Sequence, residues 1–409
     1  MSARPVSQPS GSIRRAPRVA LLGCRGIPAR YGGFETFAEE LGARLAARGY
    51  EVTVFCEATG APDAPSVHRG MRLEYVAAPR LGSAGALAYD VLSLRRARAH
   101  DVVYMLGYGA GAFLGLARSG ANRVWVNMDG LEWRRSKWGP LARAWLRRME
   151  RIALRSADRV VFDSDAVRRA VVGEAPNERV FVIEYGAELA HEPDPRVLDS
   201  LGVRPHAYFL LVARIEPENH VLEILRAHAR SGVEQELLVV GDVARAGRYG
   251  AECRAAAGRG VRFLGALFDP RTLHALRRDA AAAVHGHSVG GTNPALLEAM
   301  AAGAPVVAHD NPFTREVLEE RATWFRDEDS LVAALRAAAR WDADERARRG
   351  RENRARIEQR YTWERIAEAY AALLPPLPER PAPPRAEPPA ALPRASERAV
   401  LSTQPEGSL

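Results

Sequence analysis

Residues 285–308 read HGHSVGGTNPALLEAMAAGAPVVA, a loop that becomes a helix and then a strand. Gly290 and Gly291 make a turn with no Cβ to obstruct a ligand. Thr292 or Asn293 is placed to cap the helix, and Pro294 suits its first position, where no amide hydrogen is needed. Small residues carry the helix from 295 to 302, Gly303 ends it, and Pro305-Val306-Val307 opens a buried strand. A glycine turn feeding a helix N-terminus offers unpaired N–H groups and the positive end of the helix dipole, both suited to a phosphate or diphosphate. Glu298, just over a turn inside, is placed to accept hydrogen bonds from sugar hydroxyls beside the phosphates. The same pattern also describes an ordinary capped helix with a solvated glutamate, so the rest of the chain has to decide.

Outward from this stretch the alternation repeats. Strand-like runs fall at 208–213, 236–240, 261–264, 281–285, 305–308 and 323–325, with helical runs between them. Upstream, strands are expected at 18–22, 51–56, 71–77, 101–106, 123–127, 159–162 and 179–183. The helix at 34–48 carries Phe34, Phe37, Leu41 and Leu45 at helical spacing. Strands alternating with helices predict parallel, doubly wound sheets. The class is therefore α/β, with two Rossmann-like domains facing across a cleft. The first spans 18–187 and the second 188–355, with the crossing near 182–186. A terminal helix at 356–374 is expected to pack back on the first domain, and polar, Pro-rich ends at 1–17 and 375–409 are expected to be disordered.

Bulk properties narrow the class. A chain of 409 residues, 47% apolar and 26% charged, has material for two cores. Cys24, Cys56 and Cys253 are too few and too scattered for a disulfide framework or a zinc site, which fits a reducing cytoplasm. The apolar run after Arg14 and Arg15 is too short for a signal peptide, and the glycine-rich run 102–117 is shorter than a membrane span. The net charge of +8 suits nucleic acid, an anionic membrane face or anionic substrates, although Lys137 is the only lysine and the abundant arginine is discounted accordingly.

Four loops follow strands and carry chemistry. GCRGIPARYGG, residues 23–33, lacks the G-x-G-x-x-G spacing of a dinucleotide site. Its Arg25, Arg30 and Tyr31 suggest a bulkier ligand, and Gly32-Gly33 at the helix start lets amides approach phosphate. NMDGLEWRRSKWG, residues 127–139, puts Asp129 and Glu132 at the strand edge where open α/β sheets bind ligands. Trp133 and Trp138 among cations suit sugar stacking or a lipid interface, and Arg143, Arg147, Arg148, Arg151 and Arg155 align in part on one helical face. ARIEPENH, residues 213–220, places Arg214 at a strand end, where it can neutralise phosphate. Asp163-Ser164-Asp165 resembles a metal-binding D-x-D but sits where such residues cap helices, and His285-x-His287 lacks a third ligand, so no metal is expected.

These motifs together resemble family 4 glycosyltransferases of the GT-B fold. GCRGIPARYGGFETFAEEL, NMDGLEWRRSKW, ARIEPEN and HGHSVGGTNPALLEAM are similar to the rhamnosyltransferase-like branch, and the resemblance covers 18–374. It implies a nucleoside diphosphate sugar donor on the C-terminal domain and a lipid-linked or glycan acceptor on the N-terminal domain. It also implies cell-surface polysaccharide synthesis, no cofactor or essential metal, and retention of anomeric configuration. Glu298 matches the second glutamate of the family's E-x7-E motif, which holds the ribose, while Gly290 stands where the first would fall. Arg214 matches the phosphate-binding arginine, Asn219 stands for its lysine partner, and Met128-Asp129 replaces a histidine. The donor site is thus expected at Gly32, Gly33, Arg214, Gly290, Gly291, Thr292, Asn293 and Glu298, with Asp129 and Glu132 as catalytic candidates. The expected location is the cytoplasm, peripheral at an anionic membrane face, without nucleic acid. Two other readings are an inactive transferase scaffold serving as a binding protein and an NAD-dependent enzyme. The missing G-x-G-x-x-G opposes the latter.

Overall fold

Residues 15–29, 32–58, 64–189 and 196–377 are described by the computed structural model. Arg30, Tyr31 and most of the expected disordered ends lie outside the described residues. The inner edges of those ends belong to the fold. Arg15 pairs with Asp101 at 2.7 Å, the Pro17 carbonyl accepts the Glu51 amide at 3.1 Å, and Leu377 packs on the core.

The first sheet comprises β1 (Arg18–Leu22), β2 (Glu51–Glu57), β3 (Val67–His68), β4 (Met71–Val76), β5 (Val102–Leu106), β6 (Arg123–Asn127), β7 (Arg159–Phe162) and β8 (Val180–Val182). Its order is β3-β4-β2-β1-β5-β6-β7-β8, parallel except for the β3–β4 pair, a short antiparallel addition that the sequence pattern does not announce. Helices α1 (Gly33–Arg48), α2 (Gly82–Arg96), α3 (Pro140–Ser156) and α4 (Asp165–Val172) connect it. Strands β1 and β5 are almost wholly apolar and buried, as strands covered on both faces must be. The run 102–117 is strand β5 followed by 3-10 turns at Gly111–Ala117.

After α5 (Arg196–Ser200) the second sheet comprises β9 (Tyr208–Val212), β10 (Glu236–Val240), β11 (Val261–Gly265), β12 (Ala282–His285), β13 (Val306–His309) and β14 (Ala322–Phe325). All its pairs are parallel, in the order β11-β10-β9-β12-β13-β14. Helices α6 (Val221–Ser231), α7 (Gly247–Ala256), α8 (Pro270–Arg278), α9 (Pro294–Ala301), α10 (Pro312–Leu318) and α11 (Glu328–Ala339) connect its strands and close its edge. In each sheet the order reverses beside the first strand, and the crevice outside the strand C-termini there is where such folds bind ligands.

Helix α12 (Ala343–Arg360) belongs to the second domain, where the Asn353 amide donates to the Ala304 carbonyl at 2.7 Å. Helix α13 (Trp363–Leu373) lies on the first domain, with Tyr370 against Phe37 at 5.6 Å between ring centroids and its hydroxyl bonded to Tyr104 at 2.8 Å. The crossing therefore comes at Tyr361-Thr362, several residues beyond the expected boundary at 355, because α12 runs unbroken until Thr362 caps α13. The same Thr362 forms a β-bridge with Ala187 on the outgoing crossing, and the Ala187 amide donates to the Tyr361 carbonyl at 2.7 Å.

Candidate functional site

The two sheets meet at a cleft of about 1270 Å³. Gly32, Gly33, Asp129, Glu132, Arg214, Gly290, Gly291, Thr292, Asn293 and Glu298 all line it. Gly32 caps α1 at a positive φ of 118°, which favours glycine, and Gly33 faces Pro294 of α9 across the gap, 3.7 Å from where a Cβ would stand. The positive ends of α1 and α9 thus converge on the same space. The Asn293 side chain accepts from the Ala295 amide at 3.0 Å, so it caps α9.

The wall from the first domain is acidic. Asp129, after β6, has φ 45°, a conformation that aspartate tolerates better than most residues, and its amide donates to Asn127 Oδ1 at 2.7 Å. Burial, with Glu132 nearby, pushes its carboxyl up to about 6. Asp163, after β7, is buried with Oδ1 lacking any partner, and burial together with Asp129 raises its carboxyl well above the ordinary range. Tyr185 lies in the same layer with its hydroxyl buried and unpartnered. Asp90 lines the cleft as well, pushed up to about 7 by burial. Sequence reading missed Asp163, Tyr185 and Asp90 as cleft residues. The only signal was the position of Asp163 after a strand.

Glu132 has another task. It accepts from Trp138 Nε1 at 3.0 Å, Lys137 at 2.7 Å and Arg135 at 3.2 Å. Burial raises its carboxyl, but Arg135 and Lys137 outweigh this and hold it below the usual range. A carboxylate so occupied anchors its loop and is a poor proton acceptor. Trp133 is likewise structural, donating to Glu150 at 3.1 Å beneath the Arg147 guanidinium. Trp138 is partly exposed and lines the cleft, with Lys137 Nζ 4.7 Å from its ring centroid.

The wall from the second domain is basic and amphoteric. Arg214, half exposed, has its Nε 3.7 Å from Glu216. Glu298 is held by an ion pair to buried Arg277, which also lines the cleft and which sequence reading missed. Glu298 remains open to the cavity, its side chain 37% exposed. The two glycines do other work than that expected of them. A Cβ on Gly291 would fall inside the Asp163 carboxylate, while Gly290 (φ 142°) stands with its backbone against Gly130. They let the two domains touch. Thr292 is also turned away from a ligand, donating its hydroxyl to the Asp163 carbonyl.

This closed arrangement is fastened by charge. Arg135 reaches across to Glu216 and, at 3.1 Å, to Glu218, which also accepts from Ser136 at 2.6 Å. Glu316 of α10 caps α4, accepting from the amides of Asp165 and Ala166, each at 2.9 Å, and from Ser164 Oγ at 2.7 Å. Asp163-Ser164-Asp165 is therefore a helix start, with Asp165 paired to Arg168 at 2.5 Å. Among the described residues no three or more His, Cys, Asp or Glu side chains are placed to hold a metal ion.

The comparisons agree with this fold. Residues 206–340 match the model of the family "Glycosyl transferases group 1", and residues 16–188 match "Domain of unknown function (DUF1972)". Among curated proteins no sequence matches. Sucrose-phosphate synthase from Thermosynechococcus elongatus is similar in structure, with a TM-score of 0.72 at 21% identity, covering 88% of this chain and 98% of its own. HepE of Anabaena, solved with UDP and glucose, gives 0.68 at 20% identity, covering 87% of this chain and 99% of its own. A glycosyltransferase from Rickettsia africae gives 0.68 at 13% identity, covering 88% and 97%. The fold is that of GT-B glycosyltransferases, and residues 206–340 within the second domain are similar to the group 1 glycosyl transferases.

Proposed function

We propose that this chain moves a sugar, in the first instance rhamnose, from a nucleoside diphosphate donor to a lipid-linked or polysaccharide acceptor in cell-surface glycan synthesis, with retention of configuration. The observation that carries this is the shared cleft in which Arg214 and Glu298 on one wall face Asp129 on the other. The donor diphosphate lies by Arg214 between the N-termini of α1 and α9, and Glu298 orients the ribose. Guanidinium and amides, rather than a metal ion, carry the leaving-group charge. The acceptor hydroxyl approaches Asp129, whose carboxyl, pushed up to about 6, is suited to accept its proton near neutral pH. Glu132 positions the loop that bears it. HepE is described with UDP and with UDP-glucose, so a pyrimidine nucleoside diphosphate is the first donor to try.

The acceptor side supports a membrane-bound substrate. The start of α3 lines the cleft through Ala142, Trp145 and Leu146, and beside them Leu141 is 89% and Trp145 41% exposed. Arg148, Arg151 and Arg155 are exposed on the same helix. Apolar side chains flanked by cations suit an anionic bilayer surface. Among the described residues no helix is long and apolar enough to cross a membrane. We therefore place the protein at the inner face of the plasma membrane, bound to its surface.

The test is calorimetry with UDP, dTDP and GDP, followed by sugar release and transfer assays with the matching donors and a polyprenyl diphosphate-linked acceptor. Binding of one nucleoside diphosphate with turnover of its sugar is the expected result. Binding without any turnover would favour the inactive-scaffold reading, and no binding at all would sink both.

A further inference from the structure

The structure assigns a role to His287, the second histidine of the H-x-H pair: we infer that its Nε2 accepts a hydrogen bond from a hydroxyl of the donor sugar, filling the place where the resemblance expects a carboxylate on residue 290. The inference rests on the donor site proposed above and names the side chain that reads the sugar in it.

Three observations carry it. The first is position. His287 lines the cleft with Arg214 and Gly290, and a Cβ built on Gly290 would stand 2.7 Å from His287 Nε2. The imidazole edge therefore fills the space into which a side chain at 290 would start. Gly290 itself, at φ 142°, is in a conformation that side-chain-bearing residues avoid.

The second is the tautomer. Asn219 Nδ2 donates to the Arg214 carbonyl at 2.7 Å, which fixes the amide so that Oδ1 faces His287 Nδ1 at 2.8 Å. An oxygen there requires the proton on Nδ1, and a neutral ring then carries a lone pair on Nε2. Burial, with His285, Arg135 and Arg214 around it, holds the imidazole well below its usual pKa, so the ring is neutral at pH 7.

The third is rigidity. The Ser288 amide and hydroxyl both donate to the Glu218 carbonyl, at 2.9 and 3.1 Å, and the Glu218 carboxylate is held by Arg135 and Ser136. The Asn311 amide donates to the His287 carbonyl at 2.9 Å. An acceptor held at both its ring and its backbone reads hydroxyl position with little freedom lost on binding. As a neutral acceptor it also serves beside a diphosphate without the repulsion that a carboxylate would add.

Calorimetry with UDP, dTDP and GDP, each against its nucleotide sugar, tests this on the full chain, its His287→Phe variant and its Asn219→Leu variant. His287→Phe should bind the bare nucleoside diphosphate within about twofold of the parent and lose about tenfold or more in affinity for the sugar form. Asn219→Leu, which frees the tautomer without removing the ring, should lose roughly threefold in the same direction. A series of donors each lacking one sugar hydroxyl gives an arm that needs no folded variant, because one deletion must cost the parent about tenfold. Equal losses for the bare and sugar forms, unchanged affinity in His287→Phe, or indifference of the parent to every deletion would each overturn the inference. A parent protein that binds no nucleoside diphosphate fails the functional reading itself and removes this inference with it.

Discussion

The two walls of the cleft are built from opposite materials. The first domain contributes carboxyls, with Asp129 pushed up to about 6, Asp90 to about 7 and Asp163 raised well above the ordinary range. The second contributes Arg214, Arg277 and His287, with Glu298 already paired. The contrast sorts substrates by charge. On the proposed reading the diphosphate is drawn to Arg214 on the basic wall, while a neutral hydroxyl that must lose a proton finds its acceptor on the acidic side. The walls are also joined directly, by Arg135 of the first domain crossing to Glu216 and Glu218 of the second.

The largest effect should come from removing that crossing. Arg135→Met leaves Glu218, 6% exposed, without its cation. Removing one partner from such a buried pair costs about 3–5 kcal/mol, to be read in urea unfolding together with loss of transfer. An unchanged midpoint would show that the domains close without the clamp. Next comes Gly290→Glu, which restores the glutamate of the E-x7-E pattern. With φ 142° and His287 Nε2 at 2.7 Å from the new Cβ, it should cost on the order of 2–4 kcal/mol in stability and abolish turnover. Gain of activity would mean that the carboxylate belongs there after all.

Smaller effects sharpen the donor side. Arg214→Ala should weaken nucleoside diphosphate binding by about tenfold or more, and Glu298→Gln by somewhat less, since the amide oxygen still accepts from Arg277 and ribose bonds of this kind contribute about 1–2 kcal/mol. Calorimetry that finds both unchanged would put the donor elsewhere. The last effect is electrostatic and is read only through its dependence on pH. Folding raises the Asp129 carboxyl from 3.8 to about 6, so its contribution to stability is complete below pH 4 and is lost as pH rises through about 6. Asparagine tolerates the same φ and never ionises. Asp129→Asn should match the parent near pH 4 and exceed it by about 3 kcal/mol at pH 8. A stability difference independent of pH would contradict this environment for Asp129.

The fold was legible because its signals are local. Apolar runs such as 102–106 and 208–212 and the cap at Asn293-Pro294 set the strands, helices and their alternation. The list of cleft residues was legible too, since strand-end loops in such folds gather at one crevice. Side-chain assignments were not. The saturation of Glu132 depends on Lys137 and Trp138 folding back on it, and the pairing of Glu298 depends on Arg277 from another helix. Gly290 and Gly291 read as phosphate glycines because nothing in their neighbourhood announces Gly130 or Asp163, which lie far upstream. Tyr185 looked like part of a crossing segment, and only the folded chain turns its hydroxyl towards the acidic layer.

The chain passes between the domains twice, and the two passages lie side by side, joined at Ala187 and Thr362 by a bridge and flanked by the Arg360–Glu184 bond at 2.9 Å. Two bodies joined by one flexible thread can twist, slide and bend. Joined by two threads pinned together, they keep one easy motion, rotation about the line through the pins, like a door hung on paired hinges. Opening then swings the far rim of the cleft widest and disturbs the hinge side least. A ligand entering a cleft hinged in this way would be admitted at the rim, and the walls would return to the same register each time they shut.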